Sequence, residues 1–261
     1  MDSSPVYIGA CGFSYPEWIE AGVYPVGTRS AEMLGLYSQI FPVVELNYTW
    51  YQMIQAETVE RMLASHRDLL FCAKLTRTMT HEIAEDWRAQ AALYRQGVQP
   101  LLDSGRLLSV LVQLPPFFRR TPENRTYLAH LLDYLHPLPL TVEFRHRSWA
   151  RDSVFRGLEA RRVTLASVDA PPLPDLFPAL DVVTNPQLFY LRLHGRNLAG
   201  WRSGNKQQQF DYNYREDELA QWSRERIPAM RAACDAGVVL FNNHVAGQAV
   251  RNAQTMERLI V

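Results

Sequence analysis

Short apolar runs alternate with longer amphipathic ones along the whole chain. The short runs are VYIGACG (6–12), VVELNYT (43–49), LFCAKLT (70–76), LLSVLVQLP (107–115), LTVEFRH (140–146), TLASVD (164–169), FYLRLHG (189–195) and GVVLFNNH (237–244). Their β-branched and aliphatic content, with almost no internal polar alternation until their ends, predicts eight buried strands. Between them, apolar residues return at helical spacing in AEMLGLYSQIF, ETVERMLASHR, AEDWRAQAALYRQGVQPLL, TPENRTYLAHLLDYL, SVFRGLEARR, REDELAQWSRERIPAMRAACDAG and VRNAQTMERLIV. Thr121 reads as an N-cap, with Pro122 at the first helical position, where a missing N–H costs nothing. Pro228 should kink or split its helix. The sixth connection, DAPPLPDLFPALDVVTNPQ, holds five prolines and has room for a short helix at most.

Strands alternating with helices predict parallel βαβ units. Eight units in 261 residues fit an α/β fold of the (β/α)8 TIM-like barrel type, typically about 250 residues long. The expected organisation is a single domain over residues 1–261, with an irregular Pro-rich connection between strands six and seven. A doubly wound open sheet is the runner-up. Its glycine-rich dinucleotide turn is missing, because the first turn reads GACGFSY instead of GxGxxG.

Residues two apart in a strand share a face. In a barrel one face meets the helices, and the other points inward toward the mouth at the C-terminal rim. Parity groups Glu45, Asn47 and Thr49 in the second strand, Lys74 and Thr76 in the third, Glu143 and Arg145 in the fifth, and Arg192 and His194 in the seventh. Gln113 ends the fourth strand, Asp169 the sixth, and Asn242 and Asn243 the eighth. Glu45, Glu143 and Asp169 against Lys74, Arg145 and Arg192 form a balanced set of three acids and three bases. Buried charges pair or neutralise. The set is therefore either a structural ion-pair plug or a catalytic and binding pocket.

Composition narrows the classes. Lys+Arg and Asp+Glu both total 27, for zero formal net charge. This argues against an extended nucleic-acid or anionic-lipid surface and leaves room for a small basic pocket. No apolar run approaches the roughly 20 residues of a membrane helix, and no secretory signal opens the chain. Cys11, Cys72 and Cys234 are widely spaced, without CxxC, and read as free thiols in a cytoplasmic protein.

The ordered set IGACGFSYPEW, VVELNYTWY, AETVERM, FCAKLTRTMTH, LVQLPPFF, VEFRHRSW, YLRLHGR, YNYREDEL and FNNHVAGQAVRNA resembles the YecE-like family, a domain-of-unknown-function family with a TIM-barrel fold. The resemblance covers nearly the whole chain. It implies the barrel and a shared rim pocket rather than a reaction. Matching positions are Glu45, Asn47, Tyr51, Lys74, His81, Gln113, Glu143, Arg145, His146, Trp149, His194, Arg196, Asn242, Asn243 and Asn252. The chain departs from the family pattern at Ala10, Cys11 and Phe13, where Thr, Ser and Trp are usual. It departs again at His244, where the Asn-Asn pair is often followed by an acid.

The expected function is an enzyme acting on a small anionic or sugar-like ligand at the rim. Glu143 is the first acid/base candidate, followed by His194 and Glu45. Lys74 and Arg145 would bind or polarise, and the asparagines would orient. Arg145, Arg192, Arg196, Arg202 and Lys206, with the loop HGRNLAGWRSGN, suggest recognition of phosphate or carboxylate. Asn47, Tyr51, His81, Gln113, His146, Asp169, Asn242 and Asn243 complete the candidate ligand contacts. Rim aromatics including Phe13, Tyr15, Trp18, Tyr48, Trp50 and Tyr51 could stack a ring. No cofactor is expected. A divalent metal on Glu45, Glu143, Asp169 and His194 is the weaker option, because three nearby cations would compete. A non-catalytic ligand- or nucleic-acid-binding module is the alternative from another class, and a metal-dependent isomerase- or endonuclease-like barrel is a further one.

Overall fold

The computed structural model describes residues 4–260. Eight parallel strands close into a barrel in chain order: β1 (Val6–Cys11), β2 (Val43–Leu46), β3 (Leu70–Lys74), β4 (Leu107–Gln113), β5 (Leu140–Glu143), β6 (Thr164–Asp169), β7 (Phe189–Leu193) and β8 (Gly237–Phe241). β8 pairs back onto β1, from Val6 opposite Gly237 to Ala10 opposite Phe241, so no strand edge is left open. The helices are α1 (Glu17–Glu20), α2 (Ser30–Ser38), α3 (Tyr48–Tyr51), α4 (Ala56–Ser65), α5 (Trp87–Asp103), α6 (Pro122–Leu135), α7 (Asp152–Glu159), α8 (Leu198–Ser203), α9 (Lys206–Gln209), α10 (Glu216–Gln221), α11 (Ile227–Ala232) and α12 (Gln248–Leu259). None of the described helices is long and apolar enough to cross a membrane.

The strands are apolar on both faces because both are covered. Val44, Leu46, Phe71, Val112, Val142, Leu191 and Val239 pack outward against the helices. Val43, Cys72, Leu111, Ala166, Tyr190, Val238 and Leu240 fill the inside. The polar groups of the mouth therefore stand on an apolar floor.

Local signals account for several boundaries. Thr121 caps α6, its hydroxyl accepting the Asn124 amide at 3.2 Å. A wide π-turn over Trp222–Arg226 separates α10 from α11 immediately before Pro228. That is the expected split: proline offers no N–H to the preceding turn. The connection between β6 and β7 carries no helix, as its prolines predict. β2 is shorter than expected. The chain turns into α3 at Tyr48, and Thr49 is a buried turn residue bonded to the Leu46 and Lys74 carbonyls at 2.7 and 2.6 Å. Asn47 and Thr49 thus do not continue the strand face of Glu45.

One close approach fixes a glycine. The Tyr37 hydroxyl, from α2, enters the β1–β2 seam, accepting from Ala10 N at 2.7 Å and donating to the Val43 carbonyl at 2.8 Å. A Cβ on Gly9 would lie 2.2 Å from that carbonyl and 2.8 Å from the hydroxyl. Gly9→Ala should cost about 1–3 kcal/mol, as overpacking does. Urea unfolding checks this, and an unchanged midpoint would contradict the tight seam.

Candidate active site

Arg192 stands at the centre. It projects inward from β7 and is 1% exposed. Its Nη2 donates to Glu45 Oε1 at 2.6 Å, and its Nη1 donates to Glu143 Oε2 at 2.5 Å. Neither carboxylate has measurable exposure. Tyr190, two residues earlier on the same face, donates to Glu45 Oε2 at 2.7 Å. Arg145 Nε donates to the second oxygen of Glu143. Both acids are therefore held on both oxygens, a geometry in which attraction offsets the desolvation of buried charge. Burial alone would raise the Glu143 carboxyl, but Arg145 and Arg192 outweigh it and hold the group well below the usual carboxylate range. A carboxylate so held stays ionised and is a weak base.

His194 follows Arg192 on the inward face. Its Nε2 lies 3.3 Å from Glu143 Oε1, off the line of a hydrogen bond, and its Nδ1 is 3.1 Å from Asn242 Nδ2. Burial and the nearby Arg145 push it down to about 3, so it is neutral at pH 7. Cys11 is inert. Burial raises its thiol well above the ordinary value, and its sulfur faces Arg192 Nη2 at 3.4 Å.

Lys74, at the end of β3, differs from the arginines. It is half-buried, and its ammonium makes no hydrogen bond or ion pair to a described residue. Its ammonium sits 5.2 Å from the Trp50 ring centroid. Burial, then Arg192, pushes it down to about 8, with Glu45 and Glu143 opposing. Beside it the Trp50 indole N–H meets His81 Nδ1 at 3.3 Å, and Gln113 Nε2 lies 3.5 Å from His81 Nε2. Burial and Lys74 bring His81 to about 4. The segment after β7 reaches the same place. Trp201 of α8 lies against the Arg145 guanidinium (5.4 Å) and edge-on to His194 (6.3 Å), and Lys206 of α9 stands 5.2 Å from Trp50.

Glu45, Lys74, His81, Gln113, Glu143, Arg145, Arg192, His194 and Asn242 are thus brought together. The other sequence candidates are not. Asp169 shares its face with Leu165 and Ser167, which point outward. It accepts from Arg196 at 2.8 and 2.5 Å, Tyr214 at 2.9 Å and Trp222 at 2.6 Å. Arg196 is taken up by this pair and by Glu218 at 3.2 Å. Asn243 also points outward, donating to the Tyr212 carbonyl and Asn252 and so tying β8 to α12. His146 is turned onto Ser148, with Nδ1 2.9 Å from its hydroxyl. Tyr51 is 63% exposed on the lip, edge-on to Trp50. Asn47 caps α3 without a side-chain bond to it. Tyr190, Trp201 and Phe210, which lies 6.2 Å from His194, were not among the sequence candidates. Parity with Arg192 would have found Tyr190.

Residues 7–261 match the model of the family described as "Protein of unknown function DUF72". The chain belongs to the DUF72 family. The YecE-like resemblance and the TIM-barrel class it implies are borne out. A curated DUF72 relative, the UPF0759 protein YunF of Bacillus subtilis (strain 168), is 28% identical over 271 residues, spanning 98% of this chain and 94% of that one. The solved structure of a DUF72 family protein from Thermotoga maritima MSB8 is similar at TM-score 0.89 and 31% identity, covering 98% of this chain and 99% of that one. Another, from Enterococcus faecalis V583, is similar at TM-score 0.85 and 26% identity, covering 98% and 95%.

The interlock makes this DUF72 barrel sensitive to single charges. Glu143→Gln removes a buried anion from two arginines and should cost about 3–5 kcal/mol. A loss under about 1 kcal/mol in urea unfolding would contradict the pairing. The pH dependence follows from the same groups. His194 and His81 are depressed, so below the ordinary histidine value of 6.5 the unfolded chain binds protons that the fold refuses. Glu143, also depressed, stabilises above the ordinary 4.5, and that contribution is lost as pH falls further. The urea midpoint should therefore fall steadily as pH drops below about 6.5 and more steeply below about 4.5. A flat profile from about pH 7 to about 5 would contradict neutral buried histidines.

Proposed function

We propose that the chain is an enzyme acting on a small anionic metabolite bound at the barrel mouth, against Lys74 and Arg145 and beneath Trp201. One observation carries this reading: the inward charges do not balance. With Asp169 turned outward onto Arg196, two acids, Glu45 and Glu143, remain against Arg192, Arg145 and Lys74. The acids are committed to the arginines. Lys74 is left without a counter-ion, and no described residue accepts a hydrogen bond from the terminal nitrogens of Arg145. A phosphate or carboxylate would supply the missing charge to a planar guanidinium and a point-like ammonium.

The proton-transfer role moves from Glu143 to Lys74. Lys74, at about 8, exchanges its proton near neutral pH, as an effective acid or base should. Glu143 and Glu45 hold the cations in place, and Asn242 sets the His194 ring. The reading takes no divalent cation. Arg192 already occupies an oxygen of each inward carboxylate, and no three described His, Cys, Asp or Glu residues are grouped to bind one.

The test is calorimetric titration with inorganic phosphate and a panel of small carboxylates and sugar phosphates. At least one should bind saturably. Its affinity should fall about tenfold or more, some 1.4 kcal/mol, in Lys74→Met and Arg145→Met. No saturable anion, or affinities unchanged in both variants, would overturn the reading.

A further inference from the structure

The chain is nearly free of lysine. Of 27 basic residues, 25 are arginine and two are lysine, Lys74 and Lys206. Both lie at the mouth, each 5.2 Å from the centroid of the same Trp50 ring. Elsewhere the sequence meets every demand for positive charge with arginine, including the buried pairs of Arg192 and Arg145. The inward face of β3 carries the exception. Arginine and lysine differ in one chemical respect that matters here. A guanidinium cannot lose its proton in a protein, whereas a buried ammonium can, and the amine so formed is a nucleophile.

The surroundings of Lys74 are those of a reactive amine. The two acids that act on it, Glu45 and Glu143, are held by arginines, and neither forms an ion pair with Lys74. It is half-buried, neither sealed in the core nor open to water. Trp50 covers it from the β2 side, and Trp201 stands above the neighbouring Arg145. Resting on the reading of the mouth as an anion site, we propose that Lys74 is a covalent catalyst whose amine condenses with the carbonyl of an anionic aldehyde or keto acid. Its lone pair adds to the carbonyl carbon, and the C=O π electrons move to oxygen. A proton passes from nitrogen to oxygen to give the carbinolamine. The C–O bond then breaks with protonation, and water leaves as the C=N bond forms. Overall, amine and carbonyl give imine and water. A proton from solvent makes the iminium, which draws the electron pair of an adjacent C–H or C–C bond into an enamine as a proton or a carbon electrophile such as CO2 leaves. The enamine carbon then takes a proton, and water adds to the iminium so re-formed to release the carbonyl product and the free amine. The iminium carries the same single charge as the ammonium it replaces. The substrate's own anion, against Arg145, supplies the counter-charge that the site lacks. The pKa of about 8 agrees with this placement.

Two lysines make the test clean. Protein incubated with glyoxylate or pyruvate is treated with borohydride, which reduces an imine to a stable secondary amine, and the product is read by intact mass and peptide mapping. One lysine adduct per chain, at Lys74, is expected, and peptide mapping separates it from any on the N-terminal amine. It should persist in Lys206→Arg, vanish in Lys74→Arg, be suppressed by inorganic phosphate, and increase in yield as pH rises toward about 8. Wild-type protein that binds phosphate yet gives no adduct with either acid, or gives adducts equally at Lys206, overturns the covalent role and leaves the anion site standing. Protein that neither binds phosphate nor traps an adduct overturns both.

Discussion

Arg192 holds two carboxylates inside a closed barrel, and much else in the mouth follows from that. Glu45 and Glu143 come from strands on opposite sides of Arg192, and neither could remain ionised there unpaired. Arg145 takes the remaining oxygen of Glu143, and Tyr190 that of Glu45. All four oxygens of Glu45 and Glu143 are taken without Lys74. That gives Lys74 its character: it sits near two carboxylates and is paired with neither. On the proposed reading, the structural plug and the catalytic pocket, which the sequence offers as alternatives, are two layers of one arrangement. The arginine–glutamate layer closes the barrel, and the lysine stands at its outer edge.

The barrel was legible because strand and helix periodicities alternate without interruption, and because strands buried on both faces show as continuous apolar runs. Parity also gave the inward faces of Glu45, Glu143, Arg145, Arg192 and His194. It fails where a strand ends early. Asn47 and Thr49 follow Glu45 in sequence, yet the chain is already helical at Tyr48. In β6 the sequence does not distinguish the two faces: Ala166 faces inward, so the alternate residues Leu165, Ser167 and Asp169 face out.

Partner choice was not legible. Arg192 and Glu45 are 147 positions apart, and nothing local distinguishes an arginine that closes the barrel from one, such as Arg196, that fastens β6 to the helices behind it. A balanced count of charges concealed this. Moving one acid from the inside to the outside turned a neutral cluster into a cationic site. The lining of the mouth by Trp201 and Phe210 was likewise hidden, since it depends on how the long segment after β7 folds back.

The arginines consume the carboxylates and leave Lys74 unpaired beside Trp50. NMR titration of lysine labelled at Cε reads this directly, with Lys206→Arg leaving Lys74 as the one lysine signal. A midpoint near pH 8 is expected. A signal that does not titrate until about pH 10, the range of an ordinary lysine, would contradict it.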